Sequence, residues 1–469
     1  MTTAPDSSVD RRTALVTAVA AGGLLVAMQA APPVHAAGTD RPLKVGLIGC
    51  GARGSGAAAQ AIATGMNVRL TAIADAFPEK IEQNLALLMR GSAGRYNVDA
   101  PKTRPGNRPA AAGLGSDLSA SIDVPPERRF AGLDAYRKVV ESDVDIVILT
   151  GPPGYRPLHF EAAVAAGKHV FLEKPLATDP VGVRRVLAAA EAAKAAGLKV
   201  GVGLQRHHQA SYVEAIRRIH AGEIGDVLSM RCFWNSGPPA KTPFAKTEGM
   251  SELEYQVRNW YFFHWLSGDH ICEQHIHNID VCNWAKGGRP IAAEGMGGRQ
   301  VRTGKEYGNI FDHHAVIYTY EDGTTLHSYC RQIPGCLNMV GEEIVGTTGR
   351  ADLGTRRVTL RRGRDVIFQA STADDEEKVS PYQVEWNDFV AAIRADTPYN
   401  EAFTGAESTL TAILGRLATY SGRQVTWDQA MKSEQAITTD AESWDAEPPV
   451  RPDAEGRYPV AVPGATKVV

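Results

Sequence analysis

Three glycines set the first chemical possibility. Gly49, Gly51 and Gly54 form a GxGxxG pattern in Gly49-Cys50-Gly51-Ala52-Arg53-Gly54, after an apolar run at Val45–Ile48 and before an alanine-rich run, Ala57–Ala63. Such glycines permit a tight strand-to-helix turn and let backbone approach a pyrophosphate, while the first helical amides, here of Ala52 and Arg53, face the anion. Asp75 closes a second apolar run about twenty residues beyond Gly54, where a carboxylate accepts hydrogen bonds from the adenosine ribose hydroxyls. The same charge repels a 2′-phosphate, so NAD is expected in preference to NADP. Lys174 closes a third run, His169-Val170-Phe171-Leu172-Glu173-Lys174-Pro175. That places it at the carboxyl edge expected of a sheet, where ligands of open α/β folds bind. An ammonium there can stabilise a developing alkoxide or carbonyl dipole and relay a proton.

A second polar constellation lies in residues 258–284, RNWYFFHWLSGDHICEQHIHNIDVCNW. One helix over 269–284 would put His270, Glu273, Gln274 and His277 at i, i+3, i+4 and i+7, on one face that could project into a cleft. Histidines seven residues apart stand two turns apart, roughly 10 Å, too far for both to bind one ion, so no metal centre is expected. A hydrogen-bonded polar face at a domain boundary is the plainer alternative. His275 falls off the face and reads as structural. Of the aromatic run Trp260–Trp265, at most two residues are expected to meet a ligand, Trp260 among them, the others packing in the core.

These residues need a scaffold. A helix around Asp134–Glu141, a strand at Asp145–Thr150, a short turn, a helix from Leu158 to Ala166 and the strand ending at Lys174 follow one another. Repeated strand and helix predict an α/β fold, with a doubly wound parallel sheet, a Rossmann domain, over 37–205. Residues 90–128, rich in Gly, Pro, Ser and Arg, read as an insertion, either wrapping a ligand or neighbour or simply disordered. Beyond 206 the pattern changes: a helix at Ser211–His220, a strand at Val227–Trp234, a hairpin turning at Asp322-Gly323 and further strand pairs predict an α+β domain over 206–439. Its open, mainly antiparallel sheet offers an outer face for a homo-oligomer. Tyr382–Ala395 and Ser408–Thr419 read as helices covering the sheet. The Pro- and acid-rich residues 440–469 read as an extended arm.

The run GPPGYRPLHFEAAVAAGKHVFLEKPLATDP, residues 151–180, with GLIGCGARG at 46–54, resembles the Gfo/Idh/MocA family (glucose-fructose oxidoreductase, inositol dehydrogenase and MocA-like proteins) from residue 42 to about 430. The resemblance implies that Lys174 stands beside the nicotinamide and the reacting hydroxyl, that Thr150, Pro152, His159 and Glu173 line the cofactor, and that His277 is a general base. Where the family has an aspartate four residues before this histidine, the chain has Glu273, whose extra methylene moves the carboxylate by roughly an ångström or more; Asp280 follows three residues later. The resemblance also implies an NAD(P)-dependent oxidoreductase acting on a sugar or polyol hydroxyl. His270, Gln274 and Trp260 are expected toward substrate.

Ahead of all this, Arg11 and Arg12 precede a weakly apolar run, and Val34 and Ala36 supply the small residues of a cleavage site. A removable twin-arginine-type signal over 1–36 is expected, hence no stable membrane anchor and a periplasmic or extracellular protein. A formal charge of −3 without a basic block argues against nucleic acid and leaves a small molecule as partner. Six cysteines, none in a CxxC pair, suggest free thiols. Twin-arginine export carries folded proteins, so NAD would be bound before export and held tightly. Two chemistries then use the same residues: net oxidation of a hydroxyl, or transient oxidation that acidifies the neighbouring carbon, eliminates a glycosidic bond and returns the hydride. A non-catalytic sugar-binding or scaffold protein would need neither Lys174 nor His277.

Overall fold

A computed structural model describes residues 41–90, 118–237, 239 and 241–469, with the backbone alone of 376–378. The expected leader and residues 91–117 of the expected insertion lie outside them. Six strands, β1 (Leu43–Ile48), β2 (Val68–Asp75), β3 (Arg129–Ala131), β4 (Ile146–Leu149), β5 (His169–Leu172) and β6 (Val200–Val202), form an all-parallel sheet in the order β3-β2-β1-β4-β5-β6. The central strands are short, apolar and buried on both faces, as a sheet covered on both sides requires. The order reverses between β1 and β4, which makes the crevice beyond their carboxyl ends a ligand site in this class of fold.

One face of this sheet carries the helices Ala135–Glu141, Arg156–Ala165 and Pro180–Ala195. The other carries Ala52–Ala63 and Pro78–Met89, and it is completed from far along the chain. Trp386, Phe389, Val390 and Ile393 of the helix Pro381–Ala395 join the core of β1, β4 and β5, with Trp386 stacked on Phe171 at 4.3 Å. Residues 118–128, within the expected insertion, are packed: Leu118 is buried and Ile122 bridges to Leu70 of β2.

The remaining strands are β7 (Val227–Ser236), β8 (Ala292–Gly298), β9 (His313–Thr319), β10 (Thr325–Gln332), β11 (Met339–Gly346), β12 (Gly349–Gly354), β13 (Arg357–Arg362), β14 (Asp365–Ser371) and β15 (Val425–Thr426). They form one sheet, β14-β13-β12-β11-β7-β10-β9-β8-β15, antiparallel throughout except where β7 runs beside β10. β9 and β10 alternate strictly between buried and half-exposed residues, the pattern of a sheet covered on one face. The covering elements include the helices Ile276–Lys286 and Ala402–Ser421. The latter is buried on nearly every side because it lies between the second sheet and helix Pro180–Ala195. Regular structure ends at Lys432, and the rest of the chain runs extended over the surface. All six cysteines are unbridged. No helix among the described residues is long and apolar enough to cross a membrane.

Candidate active site

The carboxyl ends of β1, β2, β4 and β5 share one edge, and each brings a different group to it. β1 runs into the glycine turn. Gly49 has φ +100°, and a Cβ on Gly54 would fall 2.0 Å from the Gly49 oxygen, so both positions demand glycine for the protein's own packing. Gly51 is different: a Cβ there meets nothing within 4 Å. This open space lies at the N-cap of the helix Ala52–Ala63, whose first turn holds no acidic residue and whose cap makes no side-chain hydrogen bond. Its leading amides can therefore receive a pyrophosphate, and the cradle fits the nucleotide.

β2 ends in Asp75, whose Oδ2 accepts from the Cys50 amide at 2.6 Å and whose Oδ1 accepts from the Phe77 amide at 3.0 Å. Burial raises its carboxyl, and the two amides pull it back toward the charged form. A carboxylate has about four acceptor positions, so two remain for ribose hydroxyls. β4 leads to Thr150, which donates to the Gly49 oxygen at 2.6 Å and ties the two loops together, and then to Pro152 at the next turn. His159 is buried against Tyr136 (4.3 Å) and Tyr155 (6.0 Å); burial first, then Arg156, push its imidazole down to about 3, so it is neutral.

β5 delivers Glu173 and Lys174, both buried. Lys174 Nζ donates to the backbone oxygen of Glu273 and lies 3.5 Å from Glu273 Oε1. The helix Ile276–Lys286 brings His277, 2 % exposed, with the Trp234 ring stacked beside it at 6.1 Å. Burial, followed by the nearby charges of Lys174, Arg206 and Arg53, drives the His277 imidazole well below its ordinary value. A neutral imidazole close to an ammonium is a base and an electrophile together.

The side chain of Arg53 does not reach for the pyrophosphate. Its Nε pairs with Glu173 and its Nη2 with Glu385 at 2.9 Å, which leaves only its amide for the anion. The predicted continuous helix over 269–284 is also corrected. It breaks into His270–Glu273 and Ile276–Lys286 because His275 turns inward to hydrogen-bond Ser328 Oγ of β10 at 2.8 Å. The break separates the expected polar face. His270 is 1 % exposed and sits with Asp269 and His314. Gln274 is taken by Gln332 at 2.6 Å, and Trp260 lies under the Lys241 ammonium, 3.5 Å above its ring. Asp280 accepts from His207 Nε2 at 2.8 Å and from Ser408 Oγ at 2.7 Å.

Asp269, His270 and His314 present ligand atoms within 4.8 Å of one another. The Asp269 oxygens already accept from the amides of His270 and Phe311 and from Tyr420 OH, and Arg302 lies close to His270, a structural setting that disfavours a cation. Sequence reasoning missed Arg206, Trp234 and Glu385. Arg206 follows β6 at the same sheet edge, so its place in the strand-helix alternation was the available signal; Trp234 and Glu385 had none.

Residues 43–204 match the family described as an oxidoreductase family with an NAD-binding Rossmann fold, and residues 212–352 match its GFO/IDH/MocA C-terminal domain. Inositol 2-dehydrogenase of Klebsiella pneumoniae (strain 342) is 36% identical over 292 residues, covering 59% of this chain and 74% of the relative. The chain belongs to the Gfo/Idh/MocA family. As a Gfo/Idh/MocA protein it is an oxidoreductase with NAD as cofactor. The scyllo-inositol 2-dehydrogenase (NAD(+)) of Bacillus subtilis (strain 168) is 24% identical over 296 residues, 62% of this chain and 79% of that one. The Gfo/Idh/MocA fold is shared with the aldose-aldose oxidoreductase of Caulobacter crescentus complexed with glycerol (TM-score 0.59, 18% identity, 82% and 100% covered). It is shared equally with a levoglucosan dehydrogenase complexed with NADH and levoglucosan (TM-score 0.62, 17% identity, 82% and 99% covered).

Proposed function

We propose that the chain oxidises a secondary hydroxyl of a sugar or cyclic polyol by hydride transfer, with Lys174 and His277 acting on the hydroxyl oxygen and Glu273 positioning Lys174. The observation that carries this reading is the pairing of a buried ammonium, fixed by the Glu273 backbone oxygen, with an imidazole that burial and nearby cations keep neutral. NAD, when bound, supplies the hydride acceptor. His277 takes the hydroxyl proton, the Lys174 ammonium stabilises the same oxygen as it becomes a carbonyl, and Glu273 holds that ammonium in place. Trp234 beside His277 offers an apolar face of the kind sugar rings stack on. The inositol dehydrogenases and sugar oxidoreductases among the relatives support the substrate class.

Export completes the proposal. The paired arginines and cleavage residues support passage of a folded protein with NAD already held. The second sheet supports a homo-oligomer: Met296, Ala315, Tyr329 and Phe233 form a row across β8, β9, β10 and β7 on its outer face, with Met296 79 % exposed. The test is to release and weigh the nucleotide from purified protein, then follow nicotinamide absorbance as inositols, aldoses and aryl glycosides are added. Reduction by a polyol or sugar supports oxidation of a hydroxyl. Aglycone release without net reduction replaces that reading with elimination and returned hydride, and a protein without nucleotide removes the resident cofactor.

A further inference from the structure

The strap after Lys432 has no helix or strand, yet it is anchored at several points. The Ile437 amide donates to Asp179 Oδ2 at 2.8 Å, and Asp440 pairs with Arg185 at 3.0 Å. Glu442 accepts from Tyr136 OH at 2.6 Å and pairs with Arg137; the Trp444 ring stacks on Phe77 at 5.3 Å and 19°. Further on, the Val450 oxygen accepts from Gln256 at 2.6 Å.

Two of these anchors mark a place. Phe77 stands two residues beyond Asp75 and gives that carboxylate its amide. Tyr136 and Arg137 open the helix that follows β3. In the order β3-β2-β1-β4, the β2 and β3 loops flank the adenosine end of a nucleotide laid across the switch point, while Lys174 lies on the β5 side. Ala76, Phe77 and Leu133 from those loops share one apolar cluster with Ile437, Ala441 and Trp444 of the strap.

We propose that residues 437–450 form a strap over the adenosine half of the cofactor site, with Trp444 and Glu442 as its fastenings, and that it sets how slowly NAD leaves. A segment held by side-chain anchors rather than by a strand ladder or helix can lift without unfolding either sheet, so it retains a ligand without being part of the reacting centre. None of its anchors belongs to Lys174, Glu273 or His277, so its loss alters cofactor release and leaves the chemical groups in place. This rests on NAD lying in the glycine cradle, and the readout is independent of turnover.

The full-length chain and its Trp444→Ala, Trp444→Phe and Glu442→Gln variants are loaded with NADH and diluted into excess NAD, and the fluorescence of bound NADH is followed. Trp444→Ala is expected to release NADH roughly tenfold faster, equivalent to about 1.4 kcal/mol, Glu442→Gln faster than the parent, and Trp444→Phe near the parent rate. Should Trp444→Ala fail to fold, Glu442→Gln decides. Release at the parent rate from every folded variant overturns the strap. Because the ratio is what is read, rapid release from the parent counts against a resident cofactor, while a ratio of one counts against the strap alone.

Discussion

Burial first, and after it the charge of Lys174, fix the protonation of the His277 imidazole. A base must be unprotonated to work, and the imidazole of His277 is pushed well below 6.5 by burial and by Lys174, Arg206 and Arg53. Activity should therefore hold as pH falls through 6.5 and decline only in more acidic solution, a limb that a kcat-against-pH profile of the holoenzyme will show. Lys174→Ala removes the ammonium facing the developing charge; a fall in kcat of roughly 10³-fold with NAD still bound is expected, about the cost of deleting one oxyanion donor. Equal kcat in that variant would take Lys174 out of the mechanism. His277→Ala should lose about 10²- to 10⁴-fold.

Among the elements, the glycine turn separates two demands that the sequence pattern merges. Gly54→Ala would drive a Cβ to within 2.0 Å of the Gly49 oxygen, so it should lower the melting temperature of the protein without nucleotide. Gly51→Ala meets no protein atom within 4 Å and should leave that temperature unchanged while weakening NAD binding, measurable by calorimetry. If Gly51→Ala binds NAD as the parent does, the cradle is not where the pyrophosphate lies. The outer face of the second sheet makes a separate expectation. Phe233 and Tyr329 stack there at 5.7 Å, and Tyr329→Glu should shift an oligomer toward monomer in sedimentation velocity.

For the whole molecule, buried histidines bound its stability on the acid side. His159 is pushed to about 3 and His264 to about 4, and His270 and His277 lie well below their ordinary value, all chiefly by burial. The unfolded chain protonates these rings near 6.5 and the folded one does not, so stability is full above 6.5. It falls by about 1.4 kcal/mol per histidine for each further pH unit of acid. His208 acts in the opposite sense. Glu401 and Asp388 outweigh its burial and raise it to about 9, so its contribution is complete below 6.5 and lost as pH rises through 9. Melting temperature should peak between these limits and drop steeply below pH 6, by differential scanning calorimetry.

The positions of the glycine turn, Asp75 and the Glu173-Lys174-Pro175 strand end were legible in the chain because each is a local device: a few consecutive residues bring the group to the carboxyl end of its strand. The strand periods likewise announced a parallel sheet followed by an antiparallel one. What no local pattern held was decided by distant partners. Ser328 on β10 draws His275 inward and breaks the helix that would have put His270 and His277 on one face. Glu173 and Glu385 turn Arg53 from the phosphate side to an ion pair, and the Rossmann sheet borrows the helix Pro381–Ala395 to close its second face. Sequence alone determined which groups are present and which strand ends carry them; the tertiary structure decided which of them meet, because burial and pairing are properties of the space between elements.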